Sequence, residues 1–386
     1  MGVCNSWQYL FSDMMFSAEN LAEFDMAMSI PADDLNACVE QAVLGIAQGY
    51  PNARLPSADW VLKARATELG IAPVGQRSAN RSCHLMACED GWLAINLARD
   101  SDWTLLNAWL ETDVRLTNWS VLRTALVPRC GRDLLGRGRE MGMPLAFVDT
   151  DGSDTDEAER PAALMTPDDL NTAGRSLQGA KVVDLSALWA GPLCAHLLHR
   201  CGAQVTSIAS IQRPDGSRQG NPALYQQLHA GHEHLALDFD DADQRKQLAY
   251  LLAGADVVIE ASRPRALRQL GLDRESLNIS RRQIWLSITA YGRKPPADQW
   301  AGFGDDVAVS AGLLHWDDLG HPQFVGDAIA DPLTGVYGAL AVVESMARGR
   351  SGLLDVSMAG IARQCRQKIL AAGQDVICPL LATTSC

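Results

Sequence analysis

The chain has 386 residues, of which 47% are hydrophobic and 20% charged, and a formal net charge of −13 at pH 7. That is a globular balance, with apolar side chains for a sizeable core and length for two or three domains. The acidic excess excludes a broad nucleic-acid face, since no basic surface is available to release phosphate counterions. No apolar run reaches the roughly 18 residues of a membrane span.

At the N-terminus, Met1-Gly2 with Ser6, beside Cys4, matches the loose N-myristoylation pattern, which is short enough to arise by chance. The start carries no basic segment followed by an apolar one, so no secretory signal is expected. The ten cysteines are scattered without a CxxC pair. They read as reduced thiols in a reducing compartment, which predicts a cytoplasmic protein. Lysine is scarce, so any phosphate contact falls mainly to arginine or backbone N–H groups.

Residues 1–165 read as a smaller α+β region. Helices are predicted over Pro31–Ala47, Ala58–Leu69, Trp103–Leu110 and Trp119–Leu126. Trp92–Leu97 alternates as a half-buried strand, and Pro144–Val148 is a second strand. The acidic stretch Asp149–Glu157 has too few apolar residues to anchor it and reads as an exposed loop. Residues 166–179 are read as a polar linker.

Residues 180–386 alternate strand and helix. Strands are expected at Lys181–Ser186, Gln204–Ile208, Ala255–Glu260, Gln283–Thr289 and Leu353–Met358. Helices are expected from Gly191, at Asp241–Leu252, at Pro264–Leu270 and at Asp331–Ala347. Strands separated by helices of about 10–15 residues imply βαβ units, hence an α/β fold with a Rossmann-like parallel sheet.

Four features carry candidate chemistry. The turn Ser186–Pro192 lies after the first strand of that half, where a doubly wound fold binds ligands and backbone N–H groups can hold an anion. From spacing alone a plain strand-to-helix turn, with Pro192 at the first helical position, is the stronger reading, and the absence of GxGxxG disfavours a dinucleotide dehydrogenase. Asp331 precedes Pro332 at the start of an apolar helix. The pair reads as N-cap and first helical residue, or as a carboxylate kept ionised by a helix N-terminus and able to act as a nucleophile; Asp327, one turn earlier, competes for that role. Arg263, Arg265 and Arg268 follow the strand ending at Glu260, either as a phosphate grip or as a solvated helix face. Five of the eight histidines, His196, His199, His229, His232 and His234, cluster in sequence, but on different elements and without a carboxylate at a zinc-site spacing, so no metal is expected.

Taken in order, these segments resemble the family III CoA-transferases, which include formyl-CoA and carnitine CoA-transferases and α-methylacyl-CoA racemases. Val182-Val183-Asp184-Leu185-Ser186 with Ala190-Gly191-Pro192 is similar to the family's opening strand, turn and helix. Gly202-Ala203-Gln204-Val205, Leu235-Ala236-Leu237-Asp238 and Ala255–Glu260 followed by Arg263-Pro264 and Leu270-Gly271-Leu272 resemble its next strands. Ile288–Gly292, Ala330–Gly335 and Leu353–Met358 complete the series over roughly residues 178–360. Glu89–Ile95, Asp102-Trp103 and Met143–Val148 resemble the family's small domain and closing segment, which there follow the catalytic half and here precede it.

The resemblance implies a circularly permuted CoA-transferase fold and an interlocked homodimer. It implies Asp331 as the catalytic carboxylate, and CoA contacts from Ala187, Leu188, Trp189, Ala190, Gly191, Ala261, Ser262, Arg263, Arg268 and Leu270. Coenzyme A enters as a substrate thioester, with acyl-CoA and carboxylic acid as substrates and no metal. Backbone N–H groups at the Gly191 turn or near Gly335 would stabilise a developing oxyanion. The family's usual basic residues are replaced by Ser207, Ala209, Ser210, Ala230, His232 and Glu233, which thins the expected CoA grip. The stretch Gly304–Gly312 lacks the histidine of the racemases, which leaves racemisation of an α-branched acyl-CoA, and a degenerate binding paralogue, as the alternatives.

Overall fold

The computed structural model describes residues 30, 32–148, 163–167, 173–277, 279 and 282–377. The N-terminal lipidation pattern and the acidic stretch Asp149–Glu157 lie outside them. The helices and strands in chain order are α1 (Ala32–Gly49), α2 (Ala58–Leu69), β1 (Cys83–Cys88), β2 (Gly91–Asn96), α3 (Asp100–Trp109), α4 (Trp119–Leu126), α5 (Gly131–Glu140), β3 (Leu145–Val148), β4 (Ala163–Pro167), β5 (Lys181–Asp184), α6 (Ala190–Arg200), β6 (Gln204–Ser210), α7 (Ser217–Gly220), α8 (Pro222–Leu228), β7 (Glu233–Leu237), α9 (Ala242–Gly254), β8 (Val257–Glu260), α10 (Pro264–Leu270), β9 (Ile284–Thr289), α11 (Gly304–Ser310), β10 (Leu314–Trp316), β11 (Pro322–Phe324), α12 (Ala330–Ala347), β12 (Gly352–Ser357) and α13 (Met358–Ile377).

The fold is α/β. The main sheet runs β4-β12-β9-β8-β5-β6-β7. Six of its strands are parallel, and β4 pairs antiparallel with β12 at the edge. Both faces are covered, as parallel sheets require. Successive residues of one strand therefore enter different cores: Val182, Val257 and Leu286 face α6 and α12, while Val183, Val258 and Trp285 face α9 and α10. The chain builds β5, β6 and β7 outward on one side of β5 and then returns to place β8 on the other. The strand order thus reverses between β5 and β8, the position where open α/β sheets bind ligands.

Local chemistry sets the helix ends. Ser57 accepts a hydrogen bond from the Trp60 N–H to cap α2, and Gly70, in the left-handed region at φ 61°, closes it. Asp241 caps α9 through the N–H groups of Asp243 and Gln244. Asn221 caps α8, with Pro222 at its first position.

A second, three-stranded sheet, β1-β2-β3, packs on α3, α4 and α5 around Leu93, Ile95, Leu106, Trp109 and Leu145. The sequence pattern had no counterpart for β1 or α5. Strand β1 is masked by its cysteines and histidine, and α5 carries Gly131, Gly136 and Gly138 among arginines. Gly138 is required by space, since an added Cβ would lie 2.1 Å from Leu145 Cδ1. Strand β4 ends inside the stretch read as a linker. Helices α1 and α2, although early in the chain, do not join the small sheet. Ile30, Leu35, Val39, Ile46 and Val61 share one core with Leu193 and Leu333 of the main fold, because their apolar faces meet α12 there.

Candidate active site

The C-terminal ends of β5, β8 and β9 open into a cleft of about 250 Å³, with Asp331 in its wall. Of the residues expected at a CoA site, Ala187, Leu188, Ala190, Ala261, Ser262 and Arg263 line this cleft together with Asp331. Trp189 instead faces a second cavity of about 410 Å³ on the other side of Asp331. Gly191 lines neither. A Cβ there would lie 2.0 Å from Ser186 Oγ, so its role is to let the turn fold back on α6. Arg268 is exposed and 3.8 Å from Asp273, and Leu270 packs with the core on the opposite face of the sheet; neither reaches the cleft.

The Ser186–Ala190 turn is held from below. Asp184 accepts hydrogen bonds from the Ser186 N–H at 2.9 Å and from its hydroxyl. Burial pushes the Asp184 carboxyl up to about 6. Leu188 adopts φ 70°, a strained conformation for a branched side chain, and its N–H is taken by Asp215 at 3.2 Å. After β8, Ser262 donates to Glu260 through its N–H at 3.1 Å and its hydroxyl at 2.9 Å. Ser287 and Arg293 complete the enclosure of that buried carboxylate.

Asp331 does not cap its helix, contrary to the sequence expectation. Helix α12 begins at Ala330, its N-cap is Ile329, and no side chain closes it. Ala328, at φ 44°, turns the chain before Ile329 and so brings the helix start forward. Asp331 is the second helical residue, and Pro332 still falls in the first turn, where a missing N–H costs little. The carboxylate is thereby free of backbone capping. Its placement depends on α12 crossing α6 closely: a Cβ on Gly335 would lie 2.7 Å from the Ala190 carbonyl oxygen and 2.9 Å from Leu193 Cβ. Gly335 is buried in that crossing, so it does not face the cleft as an oxyanion donor.

Burial is the main force on Asp331 and pushes its carboxyl up to about 6. The Arg65 charge and a hydrogen bond from the Gly304 N–H oppose the shift, and Asp327 adds to it. The same logic drives Asp305, fully enclosed at the start of α11, up to about 7. Asp327, the local competitor, is committed elsewhere. Arg65 of α2 grips it through Nε at 2.7 Å and through a second, shorter bond, and the guanidinium lies 5.1 Å from the centroid of the Trp189 ring. Such a bidentate pair leaves Asp327 no freedom to attack a substrate.

The second cavity is lined by Arg65, Asn80, Ser82, Asn96, Tyr225 and Asp305, among others. Leu188, Phe303 and Asp331 belong to both cavities. Asn96 ties the small sheet to the site by donating to Asp306 at 2.8 Å, and Asp306 also accepts from the Phe303 N–H. Arg65 and Phe303 were absent from the sequence reading, and Gly304 and Asp305 entered it only as part of the stretch that lacks a racemase histidine. Gly304 left a weak signal, a glycine opening an acidic helix; Arg65, 266 positions before Asp331, left none.

Four of the five clustered histidines pack ring against ring, with His199 5.3 Å and His229 5.7 Å from His232 and His234 5.6 Å from His229, while His196 lies against Trp60; His232 is bonded to Ser207 at 3.1 Å. Among the described residues no group of three or more His, Cys, Asp or Glu side chains is arranged to hold a metal ion. No described helix is long and apolar enough to cross a membrane.

The doubly wound sheet thus holds a buried carboxylate, Asp331, in the wall of the cleft at its switch point, where such sheets bind ligands. Residues 177–372 match the model of CoA-transferase family III, and the chain belongs to that family. It is 28% identical to an acyl-CoA transferase of Fusarium pseudograminearum, over 54% of this chain and 51% of the relative. It is 29% identical to succinate–glutarate CoA-transferase of Agrobacterium fabrum, over 49% and 53%. The chain spans about half the length of these curated relatives. A crystal structure of a CaiB/BaiF family protein from Brucella suis matches 55% of this chain and 59% of that one at 29% identity, with a TM-score of 0.44.

Proposed function

We propose that this protein moves CoA between an acyl-CoA thioester and a carboxylic acid, with Asp331 as the nucleophile. The observation that carries the reading is the position of Asp331 between two cavities, one bordered by the Ala187–Ala190 turn and the Ala261–Arg263 segment. The Asp331 carboxylate attacks the thioester carbonyl, the C–S bond breaks, and CoA leaves as thiolate from a mixed anhydride. The thiolate then attacks the Asp331 carbonyl and expels the first acid, leaving an aspartyl-CoA thioester. A second carboxylate attacks that thioester and releases the thiolate again. Attack of the thiolate on the new acyl carbon frees Asp331 and the new acyl-CoA. Covalent catalysis of this kind divides one difficult exchange into easier ones. The small sheet, preceding the family region, supports a permuted order of the family's two parts; the family resemblance supports a homodimer, and the scattered cysteines support a reducing, cytoplasmic compartment.

Intact-protein mass spectrometry after incubation with a panel of acyl-CoA thioesters tests the reading. A CoA-sized adduct on Asp331 that hydroxylamine discharges is expected, and Asp331→Ala should not form it. Full transfer activity in Asp331→Ala would overturn the assignment.

A further inference from the structure

The thioester carbonyl attacked in the proposed transfer is trigonal, so its sulfur and its acyl chain diverge from the reacting carbon. Asp331 likewise stands between two cavities. The one bordered by the Ala187–Ala190 turn and the Ala261–Arg263 segment belongs to CoA in that reading, which leaves the other for the acyl chain. This second cavity has a volume of about 410 Å³. At about 30 Å³ per water molecule, it has room for an acyl chain of four carbons or more.

Its wall carries two donors without acceptors. Trp189 is 2% exposed and Asn221 5% exposed, and both line the cavity. Neither the indole N–H of Trp189 nor the side-chain amide N–H groups of Asn221 have a hydrogen-bond partner. The Asn221 amide is not free to turn. Its oxygen accepts from the Leu224 N–H at 3.1 Å to cap α8, which fixes the nitrogen on the opposite side. The Trp189 ring is held as well, with the Arg65 guanidinium 5.1 Å from its centroid. Buried donors of this kind cost free energy until an acceptor reaches them.

The same wall disfavours an anion. Arg65 is the one cation among the described residues that line the cavity, and it is bonded through two nitrogens to Asp327. Arg218 acts on Tyr225 from nearby, but it is exposed and does not line the cavity. Asp305 and Asp331, the acids of the wall, supply no positive charge. A second carboxylate on the acyl chain would be desolvated beside them without a free counter-charge. Leu69, Leu224 and Phe303 give the carbon chain apolar contact.

We propose that the second cavity takes the acyl group, and that Trp189 and Asn221 select a chain bearing an uncharged oxygen, a hydroxyl or a carbonyl, over a plain alkanoyl chain or a dicarboxylate. The proposal rests on the transfer reading above and names its substrate class.

Three four-carbon thioesters test it on the full chain: butanoyl-CoA, succinyl-CoA and 3-hydroxybutanoyl-CoA, the last in both enantiomers. Intact-protein mass spectrometry gives the second-order rate of CoA-adduct formation with each. The better hydroxyacyl enantiomer should react about 10-fold faster than butanoyl-CoA, the worth of one satisfied hydrogen bond. It should react about 100-fold faster than succinyl-CoA, whose free carboxylate is buried unpaired. Trp189→Phe keeps the ring and removes its N–H, and Asn221→Ser keeps a capping oxygen and removes the amide. Each should lower the ratio of hydroxyacyl to butanoyl rates by about threefold or more. A ratio unchanged in both variants would overturn these residues as the selectors. A butanoyl rate equal to the hydroxyacyl rate, or a succinyl rate as high as either, would overturn the substrate class. If none of the thioesters forms an adduct, the transfer reading fails by itself, and calorimetry with the same compounds decides this one. Tightest binding of a hydroxyacyl thioester and weakest binding of succinyl-CoA would uphold it, and any other order would overturn it.

Discussion

A Cβ built on Gly304 would lie 2.3 Å from Oδ2 of Asp331 and 2.4 Å from the Ala328 carbonyl oxygen. The backbone of α11 thus occupies the space beside the carboxylate, and its N–H is one of the groups that keep Asp331 ionised. Gly304→Ala should cost about 1–3 kcal/mol of stability through overpacking. It should lower the rate of the proposed transfer by about 100-fold, because it displaces the carboxylate proposed as nucleophile. Thermal melting and initial rates measure the two effects separately, and a variant with a wild-type rate would show that Asp331 tolerates displacement.

The proposed transfer uses Asp331 as a carboxylate, and its carboxyl is pushed up to about 6. The rate constant kcat/KM should therefore be level at neutral pH and fall tenfold per unit as pH drops below about 6. An acid limb near 4 would mean that burial does not govern this group.

Arg65 and Asp327 form a bidentate pair in which Asp327 is nearly inaccessible, its side chain 1% exposed. Arg65→Met should cost about 3–5 kcal/mol, because an unpaired carboxylate is left buried. Adding Asp327→Asn should recover much of that loss in a double-mutant cycle by urea unfolding. The single variant should also move the acid limb of transfer to higher pH, since the Arg65 charge lowers the Asp331 carboxyl.

Asp305 is pushed up to about 7 in the folded protein, with burial as the leading cause. A folded-state value above the unfolded one means that the folded form holds its proton longer. The stability from this group is therefore full below about pH 4 and is lost as pH rises through about 7. Asp305→Asn retains an acceptor for the Ala328 N–H, which now reaches Asp305 at 2.9 Å. It should gain on wild type between pH 4 and 8 by an amount on the order of 3 kcal/mol. Denaturant curves at pH 4, 6 and 8 check the sign, and a difference that does not grow with pH would contradict it.

Much of the main sheet was legible in the sequence because its determinants are local. The short, mostly apolar strands at Lys181–Asp184, Val257–Glu260 and Ile284–Thr289, the helix at Pro264–Leu270 and the helix that follows Asp241 are all set by residues within a few positions of one another. Where the determinant is a distant neighbour, local pattern gave no signal. Helix α5 packs with Gly138 directly beneath Leu145, and β4 pairs along the edge that β12 offers.

The candidate site divides the same way. The sequence by itself determined an α/β chain, the turn at Ala187–Ala190, the segment at Ala261–Arg263 and an aspartate at the start of an apolar helix, since each is a short run whose chemistry travels with its neighbours. Only the tertiary structure decided that Asp331 lies inside the first turn of its helix rather than capping it, that Asp327 is spent on Arg65, and that Arg139 shares a cavity with Arg263 and Arg265. Those outcomes depend on helix crossings and on burial, which bring together residues up to 266 positions apart and fix their charge through the water they exclude.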